Sequence, residues 1–279
     1  MSSNNPLRQY FRQPAIYVRL PSQGKFYPDG AILMPPNGEL PILPMTAIDE
    51  ITYRTPDALF NGSAVINVIE SCVPNIKNAW SVPSIDIDTL LIAIRIASYG
   101  NDMDFSSTCP NCNETADRTI DMRSLLDGIK SPDYDKPIVQ GDMTIYFQPM
   151  TFKDLNENNQ MQFEEQKILN MLPDDQVTDE TKITALGEAL KKITQVTVSA
   201  LSQSIKAINT PGGLVNEPEY IHEFLQNCDR VLFNRIRDHI ITVKQSSEIR
   251  PVKLECPNCK HNYEQQLTLD MTSFFGAAS

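Results

Sequence analysis

The residues best suited to chemistry in this chain are four cysteines, carried by one tetrapeptide that occurs twice: Cys109-Pro110-Asn111-Cys112 and Cys256-Pro257-Asn258-Cys259. Each copy is flanked by short alternating segments. Residues 105–108 lead into the first and 118–122 follow it; residues 252–255 lead into the second and 266–271 follow it, and both closing segments end in Asp-Met. Each copy therefore predicts strand, knuckle, strand. Two CxxC knuckles on two hairpins supply four thiolates, the ligand set of a closed, tetrahedral structural Zn²⁺ site. Thiolate is a soft ligand, which favours zinc or iron–sulfur over calcium or magnesium. A redox CxxC usually opens a helix after a strand, whereas Asn113-Glu114-Thr115 and Lys260-His261-Asn262 suit turns. A pair of disulfides needs an oxidising compartment, and no segment points to export. We therefore expect Cys109, Cys112, Cys256 and Cys259 to hold one zinc as a four-cysteine ribbon. His261 lies close to Cys259, but four thiolates already fill the shell, so it reads as a bystander.

No catalytic or cofactor-binding constellation accompanies this site. The chain has no GxGxxG, GxxxxGK[ST], HExxH or GxSxG pattern. Its 3 histidines are scattered, and His222 and His239 fall in helical patterns as ordinary core or surface residues. Asp133, Asp135, Asp174 and Asp175 fall in loops as solvated charge. These features predict a protein that is not an enzyme and has no catalytic residues.

The elements that must position the knuckles predict an α+β chain. Residues 1–45 hold eight prolines, from Pro6 to Pro44, which exclude helix. Residues 15–20 and 39–42 read as extended, with a turn at Asn37-Gly38, so 1–45 is expected to be a proline-rich arm lying on a partner. A helical segment follows over 46–102. Thr46 and Asp49 have N-cap spacing, Pro56 breaks the first helix, and Asn61-Gly62-Ser63 opens a second that ends at Pro74. Asp86 or Asp88 caps a third over 89–99, with Gly100 as its stop. That last segment is apolar nearly all round, which means burial. Arg95 in its middle is then an internal ion pair, a snorkelling side chain or a contact across an interface. The split ribbon occupies 103–122 and 250–275, interrupted by a mainly helical insertion, 123–249, with one hairpin turning at Gly141-Asp142. Within the insertion, Thr151 and Asp154 cap a polar helix. Residues 179–209 carry Ile183, Leu186, Leu190, Ile193, Ala200, Leu201, Ile205 and Ile208 on one amphipathic stripe, with Thr197 on the same face. Asn216 and Asp229 start two further helices. Cys72 and Cys228 read as free buried thiols.

The order and wording of the N-terminal half resemble a known family. The run from Arg19 to Pro28 (RLPSQGKFYP), then Leu43-Pro44-Met45-Thr46 with Asp49-Glu50, Asn61-Gly62-Ser63-Ala64-Val65, residues 91–100 (LIAIRIASYG) and Cys109-Pro110-Asn111-Cys112 are similar to the baseplate hub, or central-spike assembly, proteins of T-even-like contractile-tailed bacteriophages. The likeness covers residues 15–150, and the helical insertion adds little to it. It implies a role in building the tail baseplate, as a retained part or as a factor that leaves. It also implies other tail proteins as partners, and a location in the host cytoplasm during assembly or in the virion tail.

Two other readings compete. A zinc-ribbon nucleic-acid or transcription protein would need a basic face. The net charge is −11, from 24 basic and 35 acidic residues, and Arg118, Lys253 and Lys260 near the knuckles are balanced by Glu114, Asp117, Glu255 and Glu264. No nucleic acid is therefore expected. A zinc enzyme needs an open coordination position, which four cysteines do not leave. Residues 1–14 are polar and predict no signal peptide, and no run of apolar residues is long enough to predict a membrane span.

Overall fold

The computed structural model describes residues 5–53, 62–170 and 179–267. The chain is α+β and divides into two compact units. The first comprises Met1–Ala79, Asp86–Ser131 and Glu248–Ser279; the second comprises Trp80–Ile85 and Pro132–Ser247. This division differs from the expected boundaries at two places. The Met122–Gly128 helix belongs to the first unit, because Asp121 at the end of a hairpin caps it and Met122 and Leu126 are buried there. Trp80–Ile85 joins the second, where Ser84 N–H donates to the Met150 carbonyl at 2.8 Å and Phe152 N–H to the Val82 carbonyl at 2.7 Å.

The first unit is built on the Ser84–Tyr99 helix, whose Leu90, Leu91, Ile92, Ala93 and Ile94 are at most 2% exposed. This helix starts earlier than the sequence suggests, so Asp86 sits in its first turn instead of capping it. Gly100 follows as the expected stop, at φ 89°. The Ser63–Cys72 helix buries Ala64, Val65, Ile66, Val68, Ile69 and Cys72, and Thr46 and Asp49 close the expected capping box on the Ala47–Tyr53 helix. The break at Pro56 and Asn61 lie outside the described residues. Arg95, 4% exposed, places its guanidinium 5.2 Å from the centre of the Tyr99 ring, an internal cation–π contact. Burial lowers its pKa.

The proline-rich segment is extended where expected, but its two strands pair with each other and help close a core. Strand Ile16–Val18 pairs antiparallel with Leu40–Ile42, and Val18, Leu20, Leu40 and Ile42 are at most 5% exposed. Proline blocks helix but not this pairing, because an edge strand needs only half of its N–H groups. Ahead of the strands, Arg12 donates to the Pro44 carbonyl at 2.6 Å, to Asp49 at 3.1 Å, and to the Ser71 carbonyl and hydroxyl at 2.8 and 2.7 Å. Residues 5–11 are exposed, and Pro6–Tyr10 forms a short 3-10 turn capped by the Asn5 side chain.

Residues 20–27 wrap the buried Asp86 carboxylate, which accepts from Ser22 N–H at 2.8 Å, from the Ser22 hydroxyl and from the Tyr27 hydroxyl at 2.9 Å. Gly24 makes the turn possible: its φ is 79°, and a Cβ there would fall 2.6 Å from Met34 Cγ. Burial pushes the Asp86 carboxyl up to about 6 against these hydrogen bonds, and raises the Tyr27 phenol as well. The folded state thus holds the Asp86 proton more tightly than the unfolded chain. The resulting stability is present below an ordinary carboxyl pKa and is lost as pH rises through about 6. Relative to Asp86→Asn, the wild type is expected to lose roughly 2 kcal/mol of unfolding free energy between pH 4 and 7. Denaturant titrations of both proteins across that range check this; a constant difference would contradict it.

The second unit has a four-stranded antiparallel sheet in the order Ile138–Gln140, Met143–Phe147, Ile205–Thr210, Gly213–Val215. Four helices accompany it: Phe152–Asn170, Asp179–Gln203, Pro218–Asn227 and Arg230–Gln245. The hairpin at Gly141 forms as expected, but it is half of a larger sheet. The expected 179–209 helix ends at Gln203, and Ile205–Thr210 is a central strand. Ile205 and Ile208, three apart, fit a helical stripe, whereas a regular strand would put them on opposite faces; pairing with Met143–Phe147, with a register shift at Tyr146/Phe147, makes the segment a strand and brings both into the core. Thr197 is exposed, bonding the Ile193 carbonyl at 2.9 Å, while Val198, Leu201, Ile205 and Ile208 join Ile138, Ile145, Phe147, Ile221 and Ile236 in the core. Asp229 caps its helix, donated to by Val231 and Leu232 N–H. Glu217, not Asn216, stands at the start of Pro218–Asn227. His222 is paired with Gln226, and His239 lies against the Phe147 ring.

Candidate metal centre

Each knuckle sits at the tip of a two-stranded hairpin in the first unit. Asp102–Thr108 pairs with Thr115–Asp121, and Val252–Glu255 pairs with Asn262–Gln265. The second hairpin resumes at Asn262, directly after the turn, and not at 266 as the spacing suggests; Asp270 and Met271 lie outside the described residues. The two tips share one backbone geometry. Cys109 N–H donates to the Glu114 carbonyl at 2.8 Å and Asn113 N–H to the Cys109 carbonyl at 3.0 Å. Cys256 N–H donates to the His261 carbonyl at 2.9 Å and Lys260 N–H to the Cys256 carbonyl at 3.1 Å. Asn113 and Lys260, each just past the second cysteine of its knuckle, take left-handed conformations at φ 58° and 60°.

The four Sγ atoms lie within 4.8 Å of one another. Cys109 and Cys259 are 3.7 Å apart, and Cys112 and Cys256 are 3.6 Å apart. Sulfurs at zinc–thiolate bond length around a tetrahedral ion are separated by roughly 3.8 Å. The spacing therefore fits a single ion, and it is far too long for disulfides. Cys109 and Cys256 are buried, Cys112 and Cys259 half-buried. The sequence expectation that the two knuckles come together is met, and the cluster is a possible metal site.

Hydrogen bonds also join the hairpins. The buried Ser107 hydroxyl bonds Tyr263 OH at 2.7 Å and donates to Gln265 Oε1, and Arg118 donates to the Glu255 carbonyl. The Asn111 amide donates to Cys259 Sγ at 3.5 Å, and the Asn258 amide reaches Cys112 Sγ at 4.0 Å. Sequence reasoning missed all of these. For the two asparagines a signal existed, because the repeated word contains them; for Ser107, Tyr263 and Gln265 none did, since their meeting is purely tertiary. His261 stacks near the Tyr263 ring and is outside the sulfur cluster.

Electrostatics also suits a cation. The Asn111 amide, and then the His261 N–H, draw the Cys259 thiol down to about 6. The hydrogen bond from Glu114 N–H favours the Cys112 thiolate, but the neighbouring sulfurs of Cys259, Cys256 and Cys109 outweigh it and Cys112 rises to about 12. Adjacent thiolates cannot all ionise without a compensating charge; a divalent ion supplies it, and binding then releases protons.

Residues 45–276 match the protein family described as T4 bacteriophage base plate protein, and the chain belongs to that family. It is a phage baseplate protein on that basis. The matched range contains all four cysteines and runs through the second unit, so the likeness extends well past the residues that carried it in the sequence; residues 15–44 lie outside the match. No curated protein and no solved structure matches the chain. Among the described residues, no helix is long and apolar enough to cross a membrane.

Proposed function

We propose that this chain is a non-enzymatic hub protein of the tail baseplate that promotes assembly by binding other tail proteins. It acts in the host cytoplasm during assembly and then either stays in the virion tail or leaves. One structural zinc, held by Cys109, Cys112, Cys256 and Cys259, clamps the two ribbon hairpins. The residues fit the ion: four thiolates at tetrahedral spacing leave no open position for a substrate or water, which supports a structural over a catalytic role. The net charge of −11 keeps the unassembled protein soluble and argues against bulk binding of nucleic acid.

The family match carries this reading. A second observation supports the partner-binding part: Leu7, Tyr10 and Phe11 are 61%, 77% and 54% exposed on a turn held in place by Arg12. Of these, the aromatic Tyr10 and Phe11 are of the kind enriched at protein interfaces. The reading is tested by inactivating the gene in a phage and examining the particles. Tails are expected to lack complete baseplates, with assembly restored by the wild-type protein supplied in trans. Normal infective particles without the protein would overturn it.

A further inference from the structure

The repeated word contains more than its cysteines. Asn111 lies in the first knuckle, yet its amide donates to Cys259 of the second at 3.5 Å; Asn258 lies in the second knuckle, and its amide reaches Cys112 of the first at 4.0 Å. The arrangement is reciprocal. In both cases the recipient is the half-buried second cysteine of the opposite knuckle, while the first cysteines, Cys109 and Cys256, are buried and tied into their own turns through main-chain N–H groups. Turn geometry does not require this. The left-handed residue of each turn is Asn113 or Lys260, and any residue with a suitable φ would fit the position between proline and cysteine.

We propose that Asn111 and Asn258 are positioning residues for the metal, each orienting and partly neutralising a thiolate supplied by the other knuckle. This rests on the reading that the four cysteines hold a metal. Four thiolates around a divalent cation leave an excess of two negative charges, in a chain that is itself strongly acidic. An amide N–H aimed at a thiolate sulfur stabilises its lone pairs in place, and such supporting partners of metal ligands contribute about 10–100-fold to affinity. Because each donor crosses between the hairpins, it also couples them: the second knuckle is organised only when the first is present. The shorter Asn111 contact carries the larger share.

The test uses the full chain with cobalt(II) as a spectroscopic probe and zinc in competition with a chelator at one fixed pH. Asn111→Asp is the informative variant. Aspartate keeps the shape and the turn preference of asparagine but replaces the donor with an acceptor facing a thiolate. Zinc affinity is expected to fall at least about 10-fold, with the sulfur-to-cobalt charge-transfer band moving to lower energy as the sulfur loses its hydrogen bond. Asn258→Asp is expected to do the same more weakly, and Asn111→Ala to fall between Asn111→Asp and wild type. If the wild type binds cobalt and zinc but both aspartate variants match it in affinity and spectrum, the asparagines are turn residues only and the inference is overturned. If the wild type, freshly prepared and folded, binds neither ion, the metal reading itself has failed. Circular dichroism of each variant, compared with wild type under metal saturation, separates lost affinity from lost fold.

Discussion

Cys109→Ser is expected to abolish stoichiometric zinc retention and to unfold the ribbon hairpins, and Cys256→Ser to do the same to the same extent. The double variant is expected to be scarcely worse than either. The reason is that the site works as a unit: removing one thiolate leaves three ligands around an ion whose binding free energy is folding free energy, of the order of 10 kcal/mol in small structural zinc domains. Non-additivity of this kind marks residues that share one interaction. Each hairpin has only two strands, which is marginal alone, and among the described residues the other links between them are hydrogen bonds: Ser107 to Tyr263 and Gln265, Arg118 to the Glu255 carbonyl, and the Asn111 and Asn258 amides to Cys259 and Cys112. Wild-type protein is expected to carry about one zinc per chain, and chelation should release the hairpins, exposing 102–121 and 252–265 together to hydrogen exchange. Losses that add in the double variant, or exchange that rises in one hairpin alone, would mean two independent knuckles.

The second large effect is expected at the N-terminus. Tyr10→Ala with Phe11→Ala should leave a folded, metal-loaded protein and reduce the yield of infective particles by at least 30-fold when it replaces the wild type. Anchor residues of an interface contribute about 2 kcal/mol or more each when truncated, and both side chains are more than half exposed in the free protein, so the fold does not depend on them. The structure also dictates where a deletion must stop. Removing residues 1–11 spares Arg12 and its bonds to Pro44, Asp49 and Ser71; removing residues 1–20 would strip the buried Val18 and Leu20 and the strand that pairs with Leu40–Ile42. The longer deletion is therefore expected to unfold the first unit, whereas the shorter one isolates the loss of partner binding. Full infectivity of the double variant, with unchanged thermal stability, would show that this turn is not the contact.

Much of this protein is written locally. The paired tetrapeptides specify thiolates, tight turns and flanking strands, because each of these depends on residues within a few positions. The capping pairs Thr46–Asp49 and Thr151–Asp154, the stop at Gly100 and the turn at Gly141 are likewise short-range chemistry, and all formed as read. The tertiary structure decided whatever depended on a distant partner. Residues 205–210 continue the spacing of a helix, and pairing with Met143–Phe147 on one side and Gly213–Val215 on the other makes them a strand. The prolines of the first 45 residues exclude helix but do not reveal that Leu40 and Ile42 close a core with Val18 and Leu20. Asp86 looks like a helix cap until the 20–27 loop arrives to donate three hydrogen bonds to it. At the cysteine cluster, residue type and spacing already specify which atoms can bind an ion. That Asn111 serves Cys259 and Asn258 serves Cys112 was decided by the packing of two hairpins far apart in the chain, because a side-chain amide has no preference among sulfurs until the fold brings one within reach.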